Sequence, residues 1–416
     1  MHSFTRRGKE LFCEDVALSE LAHRYGTPLY VYSHAALTRH YQAYEEAFAG
    51  ISHIICYAVK ANPSGAILNT LGEMGSGADI VSGGELYRAM RAGIPASRIV
   101  YSGVGKTKRE TEEALDADIL MFNIESFTEL SVLNETAGRM GKKARISLRI
   151  NPDIDPVTHP YISTGLRKSK FGIPFEAALE GYKRAGRLTN IEIAGVDCHI
   201  GSQLMLLEPF KQAIRRLLSL AGELRSQGYG IALLDIGGGL GIPYADEKPP
   251  SPGEYAKAVA DVLGNEKLKL LIEPGRSIVG NAGILLTQVL YTKKGEGKRF
   301  VIVDAGMNDF IRPCLYDAYH EIVHVYEVDR SMELCDIVGP VCESGDFFAL
   351  NRTLPGCVRG DLLAVMSAGA YGSSMSSVYN SRPLAAEALV KGSASAIIRE
   401  RGTYSDLTSM EAIPEL

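Results

Sequence analysis

The sequence has no two cysteines separated by two residues, the spacing found in many zinc sites and redox pairs. Its seven cysteines are scattered and odd in number, which argues against a metal site and against a disulfide framework. Long uncharged apolar runs are also missing, so no segment is predicted to cross a bilayer. Residues 1–7 lead into polar sequence without the apolar core of a signal peptide. These absences predict a reduced, soluble, cytoplasmic protein.

An excess of positive charge is missing as well. The net charge of −5 gives no basis for a nucleic-acid partner or an anionic membrane partner. The basic cluster at residues 293–299 is interrupted by glycines and predicts a solvated hairpin turn. The chain nevertheless has 416 residues of ordinary globular composition, which is long for one domain and sufficient for two.

Short β-type runs alternate with helical patterns between about residues 50 and 275. Eight strands, each leading into a helix, favour a parallel (β/α)8 TIM barrel. A doubly wound open sheet is the alternative, but no dinucleotide-type glycine loop follows the first strand. The predicted strands are 54–58, 78–81, 99–102, 119–123, 145–150, 193–199, 231–236 and 270–273.

The pattern changes after about residue 275, where strand-like runs are separated by turns and long helices become scarce. This predicts an α/β barrel domain, residues 28–275, followed by a mainly β domain of Greek-key or barrel-like type, residues 276–416. The opening segment, residues 1–27, is expected to join the β domain. The strand-like runs of that domain are 283–291, 299–303, 334–338, 361–366 and 388–390.

Two chemically loaded residues follow predicted barrel strands, where the catalytic groups of such barrels lie. Lys60 follows the first strand, and its amine could form an imine with an aldehyde. His199 follows the sixth, and its flat ring could stack on an aromatic ring, with the hydroxyl of Ser202 nearby to donate to an anion. Taken singly, Lys60 could be a solvated lysine and His199 a structural histidine.

The last two strands lead into a second pair of motifs. Residues 237–239 are three glycines, whose N–H groups could approach a phosphate. Glu273 could pair with a protonated ring nitrogen, and Arg276 could grip a carboxylate. The alternatives are a flexible turn and a surface ion pair. An imine-forming lysine, a stacking ring, a phosphate cradle and a carboxylate for a ring nitrogen together indicate pyridoxal 5'-phosphate.

The same residues carry a resemblance that covers nearly the whole chain. The sequence resembles the diaminopimelate decarboxylases, which belong to the barrel-fold pyridoxal-phosphate decarboxylases related to alanine racemase. The resemblance rests on long motifs in the right order, which are residues 57–62, 77–86, 199–203, 237–239, 273–276, 312–316, 342–346, 369–372 and 379–383.

The resemblance implies a role for each matching residue. Lys60, His199 and Cys342 would be catalytic, with Lys60 the imine-forming lysine and Cys342 the proton donor. The expected cofactor-binding residues are Lys60, His199, Ser202, Gly237, Gly238, Gly239, Glu273, Gly275, Arg276 and Tyr371. The expected substrate-binding residues are Arg276, Arg312, Tyr316, Glu343 and Tyr371.

The implied activity is a carboxy-lyase reaction, the decarboxylation of meso-2,6-diaminopimelate to L-lysine, the last step of lysine biosynthesis. The implied assembly is a homodimer in which Cys342 and Glu343 act on the neighbour's cofactor. One alternative is a related decarboxylase for ornithine, arginine or carboxynorspermidine. The others are a non-catalytic cofactor-binding relative and an alanine racemase. Without the resemblance, Cys342 would be read as a small buried apolar residue, and Arg312 as a turn arginine.

Overall fold

The computed structural model describes residues 4–154 and 170–415. The chain folds into two compact units. The barrel unit comprises Thr38–Pro243 and Lys248–Ser277, and the β unit comprises the chain up to Leu37, Tyr244–Glu247 and the chain from Ile278 onwards.

The first part of the chain that belongs to the β unit extends past the predicted boundary at residue 27 and ends at Leu37. Its last strand is apolar and fully buried, and it pairs with two later strands of the β unit. Residues 28–37 therefore group with the β unit, whereas the sequence pattern assigned them to the barrel. The elements are β1 (Phe4–Arg7), β2 (Glu10–Cys13), β3 (Val16–Ala17), α1 (Leu18–Tyr25) and β4 (Leu29–Ser33).

Eight parallel strands form a closed barrel, as predicted. Each strand pairs with the next around the ring, and the last pairs with the first through Ile272 and Ile55. A short extra strand, β10, pairs with β9. The strands are β5 (His53–Ala58), β6 (Gly77–Ile80), β7 (Ile99–Tyr101), β8 (Met121–Ile124), β9 (Ala144–Asn151), β10 (Ile173–Pro174), β11 (Ile191–Asp197), β12 (Leu233–Asp235) and β13 (Lys269–Ile272).

Helices alternate with these strands, and several begin at a capping side chain. Ser82, Thr107, Ser126 and Ser251 each accept a hydrogen bond from the N–H three residues later, which typically contributes about 1 kcal/mol. None of the helices in the described residues has the length and apolar character of a membrane span. The helices are α2 (His34–Phe48), α3 (Gly65–Glu73), α4 (Gly83–Arg91), α5 (Lys108–Ala117), α6 (Phe127–Arg139), α7 (Ala178–Ala185), α8 (Glu208–Ser226), α9 (Pro252–Leu263) and α10 (Arg276–Val279).

The β unit is mainly β, as predicted, and its central sheet has the order β18-β17-β15-β14-β4-β20-β21. Buried apolar side chains on β4, β14 and β20 pack in its core. The basic segment 293–299 forms the expected turn between β14 and β15. The elements are β14 (Gly283–Lys294), β15 (Arg299–Val303), α11 (Arg312–Tyr316), β16 (Ile322–His324), β17 (Met332–Val338), β18 (Phe347–Pro355), β19 (Leu362–Val365), β20 (Ala386–Lys391), β21 (Ala394–Arg399) and α12 (Tyr404–Thr408).

The barrel strands place polar side chains near their carboxyl ends. Apolar side chains from β5, β7, β8 and β13, including Ile54, Val100 and Leu271, pack together in one cluster. Residues nearer the carboxyl ends of other strands are polar and fully buried, among them Asp79, Asp197 and Asp235. Buried carboxylates are costly without a partner, so this end of the barrel is the natural place for a charged site.

Candidate active site

Lys60 lies directly after β5, in a single 3-10 turn, Val59–Ala61. Its Nζ forms an ion pair with Oδ2 of Asp79, which is on β6 and completely buried. The Lys60 side chain keeps 37% of its surface exposed, so a small molecule can reach this side chain while Asp79 anchors its amine. An ordinary solvated lysine would have no such anchor.

His199 lies two residues beyond the end of β11, with its ring between two carboxylates. Nε2 contacts Oε2 of Glu273, and Nδ1 lies 3.1 Å from Oδ1 of Asp197. Burial alone would lower the pKa of His199, but the charges of Glu273 and Asp197 raise it well above its usual value. Both contacts lie at the edges of the ring, as stacking of a ligand on one of its faces would require.

Glu273 is the first residue after β13, and it is fully buried. Burial raises the pKa of its carboxyl, the charge of Asp79 adds to the rise, and His199 opposes it. Burial likewise raises the pKa of Asp235, helped by the charges of Glu273 and Asp197. Four buried carboxyl groups therefore meet within one barrel mouth, an environment that favours a cationic ligand group.

The buried carboxylates also provide unfilled hydrogen-bonding capacity. Among the described residues, Oε1 of Glu273 and Oδ1 of Asp79 are buried without a hydrogen-bond partner. A buried acceptor without a partner is costly, and a protonated ring nitrogen is a suitable donor for Glu273. The residues present therefore fit a pyridinium ring.

The glycine loop after β12 requires residues without a Cβ. Gly237 and Gly239 have φ of 63° and 112°, and a Cβ on Gly238 would overlap the carbonyl oxygen of Glu273. The N–H of Gly237 donates to Oδ1 of Asp235 at 3.0 Å. The loop therefore offers a phosphate the N–H groups of Gly238 and Gly239, which have no partner among the described residues.

Ser202, in the loop after β11, and Arg276, the first residue of α10, extend this cradle. Nε and Nη2 of Arg276 donate to the hydroxyl of Ser202, at 3.3 and 3.1 Å. Gly275 packs against the turn that carries Lys60, because a Cβ there would lie 2.9 Å from that of Ala61. The structure thus brings the predicted barrel residues together at one end of the barrel, with an anionic wall around Glu273 and a donor group around Ser202.

Two clusters of the described residues have the ligand types of a metal site. Asp79, His199 and Glu273 form one, and His324, Cys357 and Asp361 form the other, each with ligand atoms within 4.8 Å of one another. The ammonium of Lys60 already lies beside Asp79. Asp361 is likewise occupied, because the guanidinium of Arg330 donates to both of its oxygens. Resident cations therefore compete with a metal ion in both clusters.

Arg312 is the first residue of α11 and is buried in the β unit. Its guanidinium lies 3.4 Å from the hydroxyl of Tyr244 and from Nε2 of His320. It also lies 5.5 Å from the rings of Tyr244 and Tyr316. These contacts hold the guanidinium in a fixed position within the β unit, unlike that of an ordinary turn arginine.

Cys342 and Glu343 lie on the loop between β17 and β18, and both are exposed. The backbone N–H of Cys342 donates to Oδ1 of Asn380 at 2.7 Å. The reading of Cys342 as a buried apolar residue is therefore wrong. Tyr371, also in the β unit, has a left-handed backbone with φ of 55°, which is uncommon for a bulky residue.

Comparison with known proteins identifies the family. Residues 34–280 match the family model described as pyridoxal-dependent decarboxylase, pyridoxal binding domain. Diaminopimelate decarboxylase of Aquifex aeolicus is 55% identical over 399 residues, which cover 96% of this chain and 94% of the relative. The enzyme of Pseudomonas aeruginosa is 51% identical over 413 residues, 99% of each chain.

The chain belongs to the diaminopimelate decarboxylase family. A crystal structure of the Helicobacter pylori family member complexed with L-lysine is 46% identical, with a TM-score of 0.92 over 95% of this chain and 99% of that one. The predicted fold, the pyridoxal-phosphate cofactor and the assignment to the carboxy-lyases are confirmed. The doubly wound alternative is wrong, because β13 pairs with β5 and closes the sheet.

Sequence reasoning missed several buried polar residues of this decarboxylase site. Asp79 lies within a motif that carried the resemblance but received no role, and Asp197, Asp235 and Asn123 received none either. All four are on barrel strands and fully buried. One sequence signal could have identified them, namely a single polar residue near the end of an otherwise apolar strand. Burying such a residue is costly unless its charge or amide binds a partner.

Proposed function

We propose that this family member decarboxylates meso-2,6-diaminopimelate to L-lysine and carbon dioxide, the last step of lysine biosynthesis. The observation that carries the proposal is that the Lys60 amine lies in the same barrel mouth as Glu273, whose Oε1 has no hydrogen-bond partner among the described residues. The names of the relatives at about half identity speak for diaminopimelate rather than ornithine or arginine. We place the enzyme in the cytoplasm.

The barrel unit holds the cofactor in this proposal. When bound, pyridoxal phosphate supplies an electron sink for the pair left behind by the departing carboxylate. Asp79 would orient the amine of Lys60 for attachment to the cofactor aldehyde, and Glu273 would accept a hydrogen bond from the cofactor's ring nitrogen. His199, which has a carboxylate at each edge of its ring, would stack on the cofactor ring. The residues that would hold its phosphate are Ser202, Gly237, Gly238, Gly239, Gly275 and Arg276, and Tyr371 is the remaining residue proposed to bind the cofactor.

A second set of residues is proposed to bind the distal end of the substrate. Diaminopimelate carries an amino-acid group at each end, so its far carboxylate needs cationic donors and its far ammonium needs an anion. Arg312, Arg276 and Tyr316 suit the carboxylate, Glu343 suits the ammonium, and Tyr371 lines the site. Arg312 supports the proposal because its guanidinium is buried and fixed before substrate arrives. Ornithine has no far carboxylate for Arg312 to bind.

Cys342 is the proposed proton donor. After carbon dioxide leaves, the Sγ–H of Cys342 transfers its proton to the carbon that carried the carboxylate. The exposure of Cys342 supports this role, because the thiol can meet a substrate without a rearrangement of the core. We further propose a homodimer in which Cys342 and Glu343 serve the cofactor bound by the neighbouring subunit.

Side-by-side assays test the substrate. Carbon dioxide release should be followed from meso-diaminopimelate, ornithine and arginine with the same enzyme preparation. We expect turnover of diaminopimelate alone, and we expect Arg312→Ala to raise the KM for diaminopimelate. Comparable turnover of all three amino acids would contradict the arginine-based recognition.

Mixing two inactive variants tests the shared site. Lys60→Ala and Cys342→Ala subunits, unfolded and refolded together, should regain up to about one quarter of the wild-type activity, because half of the dimers formed at random carry one intact site of two. Refolding each variant alone is the control. Failure to regain activity, when refolded wild type does so, would count against a site shared between subunits.

A further inference from the structure

A buried polar network links the glycine loop to another part of the barrel. Asn123 on β8 donates from Nδ2 to Oδ2 of Asp235 at 3.1 Å and to Oγ of Ser102 at 3.1 Å. Oδ1 of Asn123 accepts from the hydroxyl of Ser147 at 2.7 Å. Strands β8 and β12 are not neighbours in the sheet, since β9 and β11 lie between them. The bond from Asn123 to Asp235 therefore spans the barrel interior.

The second oxygen of Asp235 extends the network into the glycine loop. Oδ1 accepts from the N–H of Gly237 at 3.0 Å, the side-chain-to-backbone bond of an Asx turn. Gly237 takes a left-handed φ of 63° at this point. This bond points the N–H of Gly237 toward Asp235. The position of the Asp235 carboxyl therefore determines the directions in which the N–H groups of Gly238 and Gly239 point.

Stability alone does not account for this arrangement. Asp235 and Asn123 are completely buried, and a well-packed apolar pair is often as stable as a buried polar one or more so. Asp235 also lies among Glu273 and Asp197, whose charges, together with burial, raise its pKa. A carboxyl group in such surroundings is expensive, which points to a use in orienting the loop.

We propose that Asp235 and Asn123 are positioning residues that orient the glycine loop for the cofactor phosphate. Asn123 holds the carboxyl of Asp235, and Asp235 holds Gly237, so that Gly238 and Gly239 face the ligand. The inference rests on the proposed function, in which this loop binds the phosphate. It assigns the control of cofactor affinity to two residues that do not touch the cofactor themselves.

Exchanging the two side chains provides a matched set of variants. In Asp235→Asn, the new amide nitrogen must face either the N–H of Gly237 or the Nδ2 of Asn123, so one bond is lost. In Asn123→Asp, two carboxyl groups face each other. The double variant restores a donor opposite an acceptor, with its direction reversed, and leaves an oxygen for Gly237. Asn134→Asp on α6, where Asn134 accepts a bond from the N–H of Asn190, makes the same chemical change elsewhere.

Binding of two aldehydes to cofactor-free enzyme gives the readout. Visible absorbance should be titrated with pyridoxal phosphate and with pyridoxal, which lacks the phosphate. We expect each single variant to raise the Kd for pyridoxal phosphate about tenfold, the effect of losing roughly one buried hydrogen bond. The Kd for pyridoxal should change clearly less, because this aldehyde lacks the phosphate that the loop binds. The double variant, which keeps one carboxyl group in the pair, should recover most of the loss, and Asn134→Asp should bind both aldehydes as wild type does.

Each other outcome has a definite meaning. Equal losses for both aldehydes, or a double variant no better than the singles, would indicate a merely structural role and overturn the inference. If a single variant does not fold, Ser147→Ala removes only the bond to Oδ1 of Asn123 and should weaken the phosphate-bearing aldehyde alone, about threefold. A wild-type enzyme that binds pyridoxal phosphate no better than Lys60→Ala would instead contradict the proposed function.

Discussion

The two units expose the groups proposed for the chemistry to different degrees. The barrel unit buries carboxyl groups together near its mouth, where Asp79 and Glu273 keep oxygens without a partner among the described residues. The β unit has an apolar core under its central sheet and carries Cys342 and Glu343 on an exposed loop. Buried charge is costly but fixed in place, which suits a permanently bound ionic ligand. An exposed loop suits groups that meet substrate only during turnover.

Lys60→Ala should have the largest effect, because it removes the reactive amine of the barrel unit. We expect activity to fall by about 10³-fold or more. The visible absorbance that wild-type enzyme develops with pyridoxal phosphate should be lost as well. Absorbance spectra and carbon dioxide release check the two effects. Retention of the visible band would show that another residue forms the attachment.

Cys342→Ala should lower turnover without weakening the binding of the cofactor. Removal of a proton donor typically lowers a rate by about 10²- to 10⁴-fold, so kcat should fall in that range. The visible absorbance with pyridoxal phosphate should stay at the wild-type level, because the barrel unit is unchanged. Parallel titration and turnover measurements check this contrast. A variant that lost the cofactor band would place Cys342 in cofactor binding instead.

Gly238→Ala should test how closely the barrel mouth is packed. The added Cβ overlaps the backbone oxygen of Glu273, and overpacking of this kind costs about 1–3 kcal/mol or more. Thermal unfolding of cofactor-free enzyme should therefore begin at a lower temperature. Gly222→Ala on α8 is the matched control, because nothing lies within 4 Å of its Cβ, and we expect it to be neutral or slightly stabilising. Equal midpoints for both variants would show that the loop can relax.

Asp309 in the β unit should show a smaller, pH-dependent effect. Burial raises the pKa of its carboxyl to about 6, above its ordinary unfolded value, so its contribution to stability is present at low pH and is lost as the pH rises toward 6. Asp309→Asn removes this loss and can still accept from the N–H of Gly306. The stability gained by the variant relative to wild type should grow between pH 4 and 7 and reach about 3 kcal/mol, from about 1.4 kcal/mol for each of roughly two pKa units. Urea unfolding at each pH measures the difference, and a pH-independent difference would contradict it.

The sequence predicted the barrel because its signal repeats eight times. Each apolar run is followed by a turn and a helix, and the chemically loaded residues Lys60, His199 and Glu273 come just after strands. The local sequence pattern is enough to predict a fold in which one strand-helix unit recurs. The pairing of the last strand with the first then follows from the number of strands. The structure moves the ends of most strands by one or two residues, so that His199 lies beyond β11 rather than within it.

The missed features depend on contacts between residues far apart in the chain. The bond from Asn123 to Asp235 joins strands that only the closed barrel brings together, and the place of β4 in the β unit depends on β14 and β20. Neither leaves a periodic pattern, because a single polar residue or a short apolar run fits several local structures. The exposure of Cys342 was equally out of reach, since small apolar residues and exposed thiols have the same sequence signal.

The place of β4 also bears on how the chain matures during synthesis. β4 leaves the ribosome before the whole barrel, whereas its partners β14 and β20 are made after it. The barrel can be completed from consecutive residues, but the β sheet must wait with an apolar strand unsatisfied until the end of translation. Translational pauses or truncations after the barrel would therefore leave β4 as the segment that chaperones or aggregation would capture first.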